Sequence, residues 1–336
     1  MRNPDLSGPR VERCTELGRI SDPLHPIWFM RSLRKRLQDN LGTAPRPDWL
    51  LKLFFLPLHQ STLSLEICAP PVGFFAQLNW CLEIAFFCEQ HGLVPVLSAV
   101  SPQYRDPGRS RNWLTYFFDV EPAGKPDFVI RDLRQLHLGD RGEIPTLERG
   151  AALRAKYLPV RPEITEKVES FVAANMAGRN VLGIHFRGTD KTLEAPRVDR
   201  EVIKQTVRRF LEKNIYIDCL FVASDEASFI LYIRDAFPAL PVVSHDDMFR
   251  STTTQNFYQQ DLGEGNYRKG EEALINCLLL SRCSVLIRTT SFLSAWASIF
   301  NPALPIVLLN EPYAKSLWYP EKLLIPRSLA GYGPMK

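Results

Sequence analysis

From Val181 to Leu309 the sequence alternates short apolar runs with longer amphipathic segments, and this alternation limits the fold more than any other feature. Val181–Phe186 predicts a strand and the stretch near Asp199–Lys213 a helix. Ile217–Ala223 predicts the next strand, with a helix to about Ala236. Val242-Val243, Val285–Ile287 and Ile306–Leu309 predict further strands, separated by a polar loop over Ser244–Lys269 and helices over Glu271–Ser281 and Phe292–Ile299. Strand and helix in strict turn give a parallel sheet wound with helices on both faces. Such strands are buried on both sides, so they read as continuous apolar runs.

The first half is less regular. Residues 1–25 lack periodicity and read as an irregular arm. Ile27, Met30, Leu33 and Leu37 recur at helical spacing, with Arg31, Arg34, Lys35 and Arg36 opposite. That helix presents either a solvated basic face or a peripheral contact with an anionic membrane. Leu63–Cys68 predicts a strand, the segment through Glu89 a helix capped near Gly92, and Leu93–Val100 a second strand. Together with the Gly73 turn they form a βαβ unit. The aromatic run Asn112–Phe118 is core packing by default, with a sugar-facing wall as the other reading. Lys125–Leu158 is mixed, with Phe128–Ile130 a short strand, and Glu163–Ala177 is a helix behind Pro162. A boundary near residues 160–180 follows, dividing the chain into 1–160 and 161–336.

Composition excludes several classes. A net charge of +4 spread over 336 residues is too weak for a nucleic-acid surface but permits an anionic substrate. Seven cysteines, an odd number with no CxxC pair, fit free thiols in a reducing cytoplasm better than disulfides or zinc. No apolar run is long enough to span a membrane. The GxGxxG and GxxxxGK[ST] phosphate loops are missing, and no motif indicates a metal.

Chemistry gathers where predicted strands end. His185 and Arg187 project to one face of the first strand of the second half, followed by Asp190 and Lys191. Ser224 and Asp225 follow the next strand, and Thr289, Thr290 and Ser291 follow the fourth. In an open parallel sheet these ends share the ligand-binding edge. One guanidinium, one ammonium and several hydroxyls ahead of a helix suit a diphosphate. The alternative is a solvated salt-bridge knot. Gly73 and Phe75, at the turn of the βαβ unit, supply either a second anion cradle or a tight turn with core anchors.

Ile184-His185-Phe186-Arg187-Gly188-Thr189-Asp190-Lys191 resembles the HxR-x-TDK motif of the α1,6-fucosyltransferase family, which includes bacterial nodulation enzymes. Gly73–Leu78, Phe221–Asp225 and Leu279–Phe292 resemble further motifs of that family, in the same order. The resemblance implies a GT-B fold, with two Rossmann-like domains facing an interdomain cleft. It implies metal-independent, inverting transfer of fucose from GDP-fucose to a glycan or glycoconjugate hydroxyl. By that resemblance Arg187 grips the β-phosphate, and His185 lies by the nucleotide. Thr290 and Ser291 lie by phosphate, Gly73 and Phe75 lie beside the diphosphate, and Asp190, Lys191 and Asp225 shape the site. Gly188 replaces the family's second Arg, and Asn276 replaces an Asp that contacts the nucleotide. The general base is Glu194 or Asp199, and the other reading of Glu194 is a surface acid. Two alternatives stand beside fucose transfer: a different nucleotide sugar on the same fold, or a nucleotide-binding protein without turnover.

Overall fold

The computed structural model describes residues 62–70, 72–121, 124–131, 144–187, 195–245, 262, 265–313 and 318–332. The basic helix expected over 27–37 lies outside them, as do Gly188, Asp190, Lys191 and Glu194. Ser61–Lys336 forms one compact α/β unit built on two sheets.

The first sheet has three parallel strands, β1 (Thr62–Ile67), β2 (Val94–Ala99) and β3 (Phe128–Ile130), in the order β2-β1-β3. Helix α1 (Phe74–Gln90) joins β1 to β2, which completes the expected βαβ unit. A short helix α2 (Leu114–Phe117) follows β2. It carries the aromatic run into the core, where Phe74 meets Tyr104, Trp113 and Phe117 at ring-centroid distances of 5.3, 5.2 and 5.2 Å. The packing reading of that run is therefore the observed one. Helices α3 (Leu147–Tyr157) and α4 (Pro162–Asn175) lead into the second half.

The second sheet holds β4 (Val181–Phe186), β5 (Cys219–Ser224), β6 (Val242–Val243), β7 (Val285–Arg288) and β8 (Ile306–Leu308). All neighbours are parallel and the order is β6-β5-β4-β7-β8. Its helices are α5 (Arg200–Lys213), α6 (Ala227–Ala236), α7 (Asn266–Ser281) and α8 (Phe292–Phe300), and a short α9 (Glu321–Leu324) lies near the C-terminus. Every residue of β4 and β5 is buried, as continuous apolar runs demand. Ile184, Phe186, Val222, Phe229 and Ile287 share one core cluster. Fully burying each such side chain contributes about 1.5–3 kcal/mol before the cost of ordering it.

The chain leaves β4 toward β5 on one side and returns to β7 on the other, so the winding reverses between β4 and β7. In open parallel sheets the carboxyl edge at such a reversal is the place where ligands bind.

Helix α7 serves both sheets. Asn266 Nδ2 donates to the carbonyls of Pro102 (3.2 Å) and Arg105 (3.1 Å), and Tyr267 N–H donates to Asp106 Oδ1 (2.8 Å). The Tyr267 ring stacks on Phe117 at 5.4 Å. Its last residues lead into β7. The sequence placed the start of this helix at Glu271, five residues late, and did not anticipate α3. Both contain an internal glycine that lowers helix propensity. In each case a tertiary contact uses that glycine. A Cβ on Gly270 would stand 2.6 Å from the Phe117 ring, and one on Gly150 would stand 1.9 Å from the Tyr319 hydroxyl oxygen.

Candidate functional site

The carboxyl ends of β4, β5 and β7 bring together several of the polar residues that the sequence placed at strand ends. His185 lies opposite Arg288 of β7 and Ala223 of β5 in the ladder, and Phe186 lies opposite Ser224. Arg187 follows directly and is partly buried, and its backbone N–H donates to Thr289 Oγ1 (3.1 Å). Thr289 N–H in turn donates to the His185 carbonyl (3.1 Å). The two strand ends are thus tied together where the ligand edge begins. Asp225, partly buried, follows β5 next to them.

His185 is buried, and its Nδ1 has no hydrogen-bond partner among the described residues. Burial, reinforced by the Arg288 and Arg187 guanidiniums, pushes its pKa down to about 3. The imidazole is therefore neutral at physiological pH. So weak a base is poorly matched to taking a proton from a hydroxyl near neutrality. It is suited to one hydrogen bond with a ligand.

Ser291 forms the N-cap of α8 in extended conformation, and its buried hydroxyl makes no cap bond and has no partner among the described residues. The helix start lends it partial positive charge, and the arrangement favours a bound oxyanion. Thr290 differs: its hydroxyl donates to the Asn310 carbonyl (2.7 Å) and its N–H donates to Asn310 Oδ1 (2.7 Å). Asn310 Nδ2 donates to the Pro196 carbonyl (2.7 Å). Thr290 fixes the loop, while Ser291 keeps its hydroxyl uncommitted.

Below this rim lies a buried ion pair that the sequence reading missed. Arg288 and Glu321 are both fully buried and meet in a fork, Nη1 to Oε2 at 2.8 Å and Nη2 to Oε1 at 2.6 Å. Arg288 also donates to Ser294 Oγ (2.9 Å) and to the Ser291 carbonyl (3.1 Å), holding the first turn of α8 in place. A charged residue closing an apolar strand run was the one available signal. Its partner, thirty-three residues on, gave none.

Gly73 is the N-cap of α1 with φ −61°, a value open to any residue. Phe75 is buried against Trp296 of α8, with centroids 5.6 Å apart, so its ring joins the packing between α1 and α8. Asn276 is buried in α7 and its Nδ2 donates to the Glu272 carbonyl (2.8 Å). Ten residues into the helix, it sits about 15 Å along the axis from the helix start. Asp199 caps α5 through a 2.7 Å bond from Glu201 N–H to its Oδ1. Among the described residues no cluster of His, Cys, Asp or Glu has the makings of a metal site, and no helix is long and apolar enough to cross a membrane.

No protein-family model matches the chain, and no curated protein matches it. Among solved structures it is similar to the NodZ α-1,6-fucosyltransferase soaked with GDP-fucose, at 18% identity and a TM-score of 0.49, over 74% of this chain and 95% of that one. It is also similar to a point mutant of Arabidopsis thaliana FUT1 in complex with GDP, at 11% identity and a TM-score of 0.46, over 88% and 81%. A third is POFUT1 in complex with GDP, at 14% identity and a TM-score of 0.43, over 74% and 99%.

Proposed function

We propose that the protein is a metal-independent, inverting glycosyltransferase that moves fucose from GDP-fucose to a hydroxyl of a glycan or glycoconjugate. In this reading the chain is a GT-B enzyme of cytoplasmic location, with residues 1–160 on the acceptor side and 161–336 holding the donor. The observation that carries it is the convergence of His185, Arg187 and Ser291 at the switch point between β4 and β7. The HxR-x-TDK resemblance centred on Arg187 supports the same assignment.

Arg187 and the start of α8 hold the diphosphate, with Lys191 as a second cation. The acceptor oxygen attacks the anomeric carbon from the face opposite the diphosphate. As the new C–O bond forms, the bond to the β-phosphate oxygen breaks and GDP leaves with the electron pair. Arg187 meets the charge that builds on the leaving group, the point at which fixed charge lowers a barrier most. His185, neutral and weakly basic, makes one hydrogen bond to the ligand and leaves the acceptor proton to a carboxylate. Asp199 is engaged as a helix cap, so Glu194 takes that role here.

The test is release of GDP from GDP-fucose over a panel of glycan acceptors. Arg187→Ala loses about 10²–10³-fold or more in turnover with its thermal unfolding little changed. Normal turnover by that variant sinks the assignment. A second reading, a donor with another base, is favoured by Asn276, whose amide is engaged within its own helix. A thermal-shift comparison of GDP-, UDP- and ADP-linked sugars separates the two, since only a ligand of the folded state raises its melting temperature.

A further inference from the structure

A second cavity, of about 680 Å³, opens at the other end of the second sheet. Its walls include Arg154 of α3, Val168 of α4, Leu278 and Arg282 at the end of α7, and Phe300 and Asn301 at the end of α8. Helices α7 and α8 end beside the amino ends of β7 and β8, so this cavity lies at the edge opposite Arg187. It is separate from the donor site described above.

The wall contains one uncommitted charge. Arg154 is half-buried, with its guanidinium carbon 4.9 Å from the centre of the Phe300 ring. Its Nε is buried without a partner, and no carboxylate pairs with it among the described residues. Burial pulls its pKa down, against a smaller opposing effect of Cys277, whose own thiol burial keeps protonated. The other polar groups are engaged: Asn301 Nδ2 donates to the Ser281 carbonyl (3.0 Å), Ser281 Oγ to Leu278 (2.6 Å) and Thr165 Oγ1 to Arg161 (3.3 Å). Arg282 is paired with Glu169. The carboxyl ends of α7 and α8 lend partial negative charge. Nonetheless, a half-buried guanidinium with no bonded anion is an expensive arrangement for a ligand-free wall.

We propose that this cavity is a second ligand site that takes an amphipathic oxyanion, a carboxylate or phosphate carried on a small apolar body, with Arg154 as the anion contact. The volume falls within the ordinary range for small-molecule pockets, which pair apolar walls with a few placed polar groups. Val168, Leu278 and Phe300 supply those walls, and a guanidinium fork matches either oxyanion. The inference stands whether or not the donor site transfers a sugar.

The test titrates the full chain with para-bromobenzoate, phenyl phosphate and uncharged benzyl alcohol, read by calorimetry and thermal shift. Saturable binding of one or both anions, with none of the alcohol, is expected for the natural sequence. Arg154→Met, with near-ultraviolet dichroism unchanged, binds them about tenfold or more weakly, a loss of about 1.4 kcal/mol. Whichever anion binds more tightly identifies the natural chemistry as carboxylate or phosphate. Crystals of the unaltered protein soaked with para-bromobenzoate place bromine between Phe300 and Leu278, which keeps the test decisive if the variant does not fold. No saturable binding, equal binding by Arg154→Met, or bromine only elsewhere overturns the proposal.

Discussion

A buried histidine and a half-buried glutamate titrate in opposite senses, and replacing either one exposes the effect of the other. His185 has its pKa depressed from an ordinary 6.5 to about 3 in the folded chain. Its contribution to stability is complete above the ordinary value and is lost as pH falls toward the folded one, because only the unfolded chain takes up the proton. Glu83 behaves in reverse. It accepts a hydrogen bond from Asn79 Nδ2 (2.6 Å), and Asn79 Oδ1 accepts one from Trp296 Nε1 (3.3 Å). Burial raises its carboxyl from 4.5 to about 7, against a smaller opposing effect of Lys322. Its contribution is complete below the ordinary value and fades as pH rises through the folded one. At about 1.4 kcal/mol per pKa unit, going from about pH 7 to about pH 5 costs about 2 kcal/mol through His185 and returns about 2 kcal/mol through Glu83. Glu83 keeps part of its surface exposed, so its figure is an upper bound. Urea unfolding of the natural protein, His185→Gln and Glu83→Gln at the two pH values measures the difference. Relative to the natural protein, His185→Gln gains about 2 kcal/mol on acidification and Glu83→Gln loses up to about 2 kcal/mol. All other titrating groups are shared and cancel in the comparison. Three parallel pH profiles would refute the reasoning.

Removing one partner of the Arg288–Glu321 pair, as in Arg288→Met, leaves a buried charge uncompensated and costs about 3–5 kcal/mol. The double replacement Arg288→Met with Glu321→Leu costs less than either single one, as a double-mutant cycle in urea will read. Gly270→Ala drives a methyl group into the Phe117 ring and lowers stability by about 1–3 kcal/mol in thermal unfolding. Thr289→Val removes the acceptor for the Arg187 N–H. It costs about 1–3 kcal/mol of stability, and amide exchange at Arg187 speeds up accordingly.

The second sheet was legible because its strands are apolar runs up to their carboxyl ends and most of its helices carry a boundary signal. Val181–Phe186 was placed to the residue, and Asp199, expected at the start of a helix, proves to be its cap. What was hidden is nonlocal. Gly150 and Gly270 lower helix propensity, yet each sits inside a helix, where an aromatic residue from elsewhere occupies the space of its missing side chain. The same holds at the site. The hydroxyls of Thr290 and Ser291 look alike in sequence, and only the position of Asn310 shows that the first is engaged. Arg288 follows the run read as a strand and drew no reading of its own, whereas Glu321 makes it an internal fastener of α8. A sequence announces the chemistry at strand ends but not which of those groups the fold has already spent.

Helix α7 has a consequence for how the molecule comes apart. Its first turns roof the aromatic layer over β1 and β2, although they are encoded more than a hundred residues after Phe117. A polypeptide ending near residue 160 would lack that roof and expose Phe74 and Phe117 to water. Loss of α7 would therefore uncover the aromatic layer of the first sheet as well as a helix of the second.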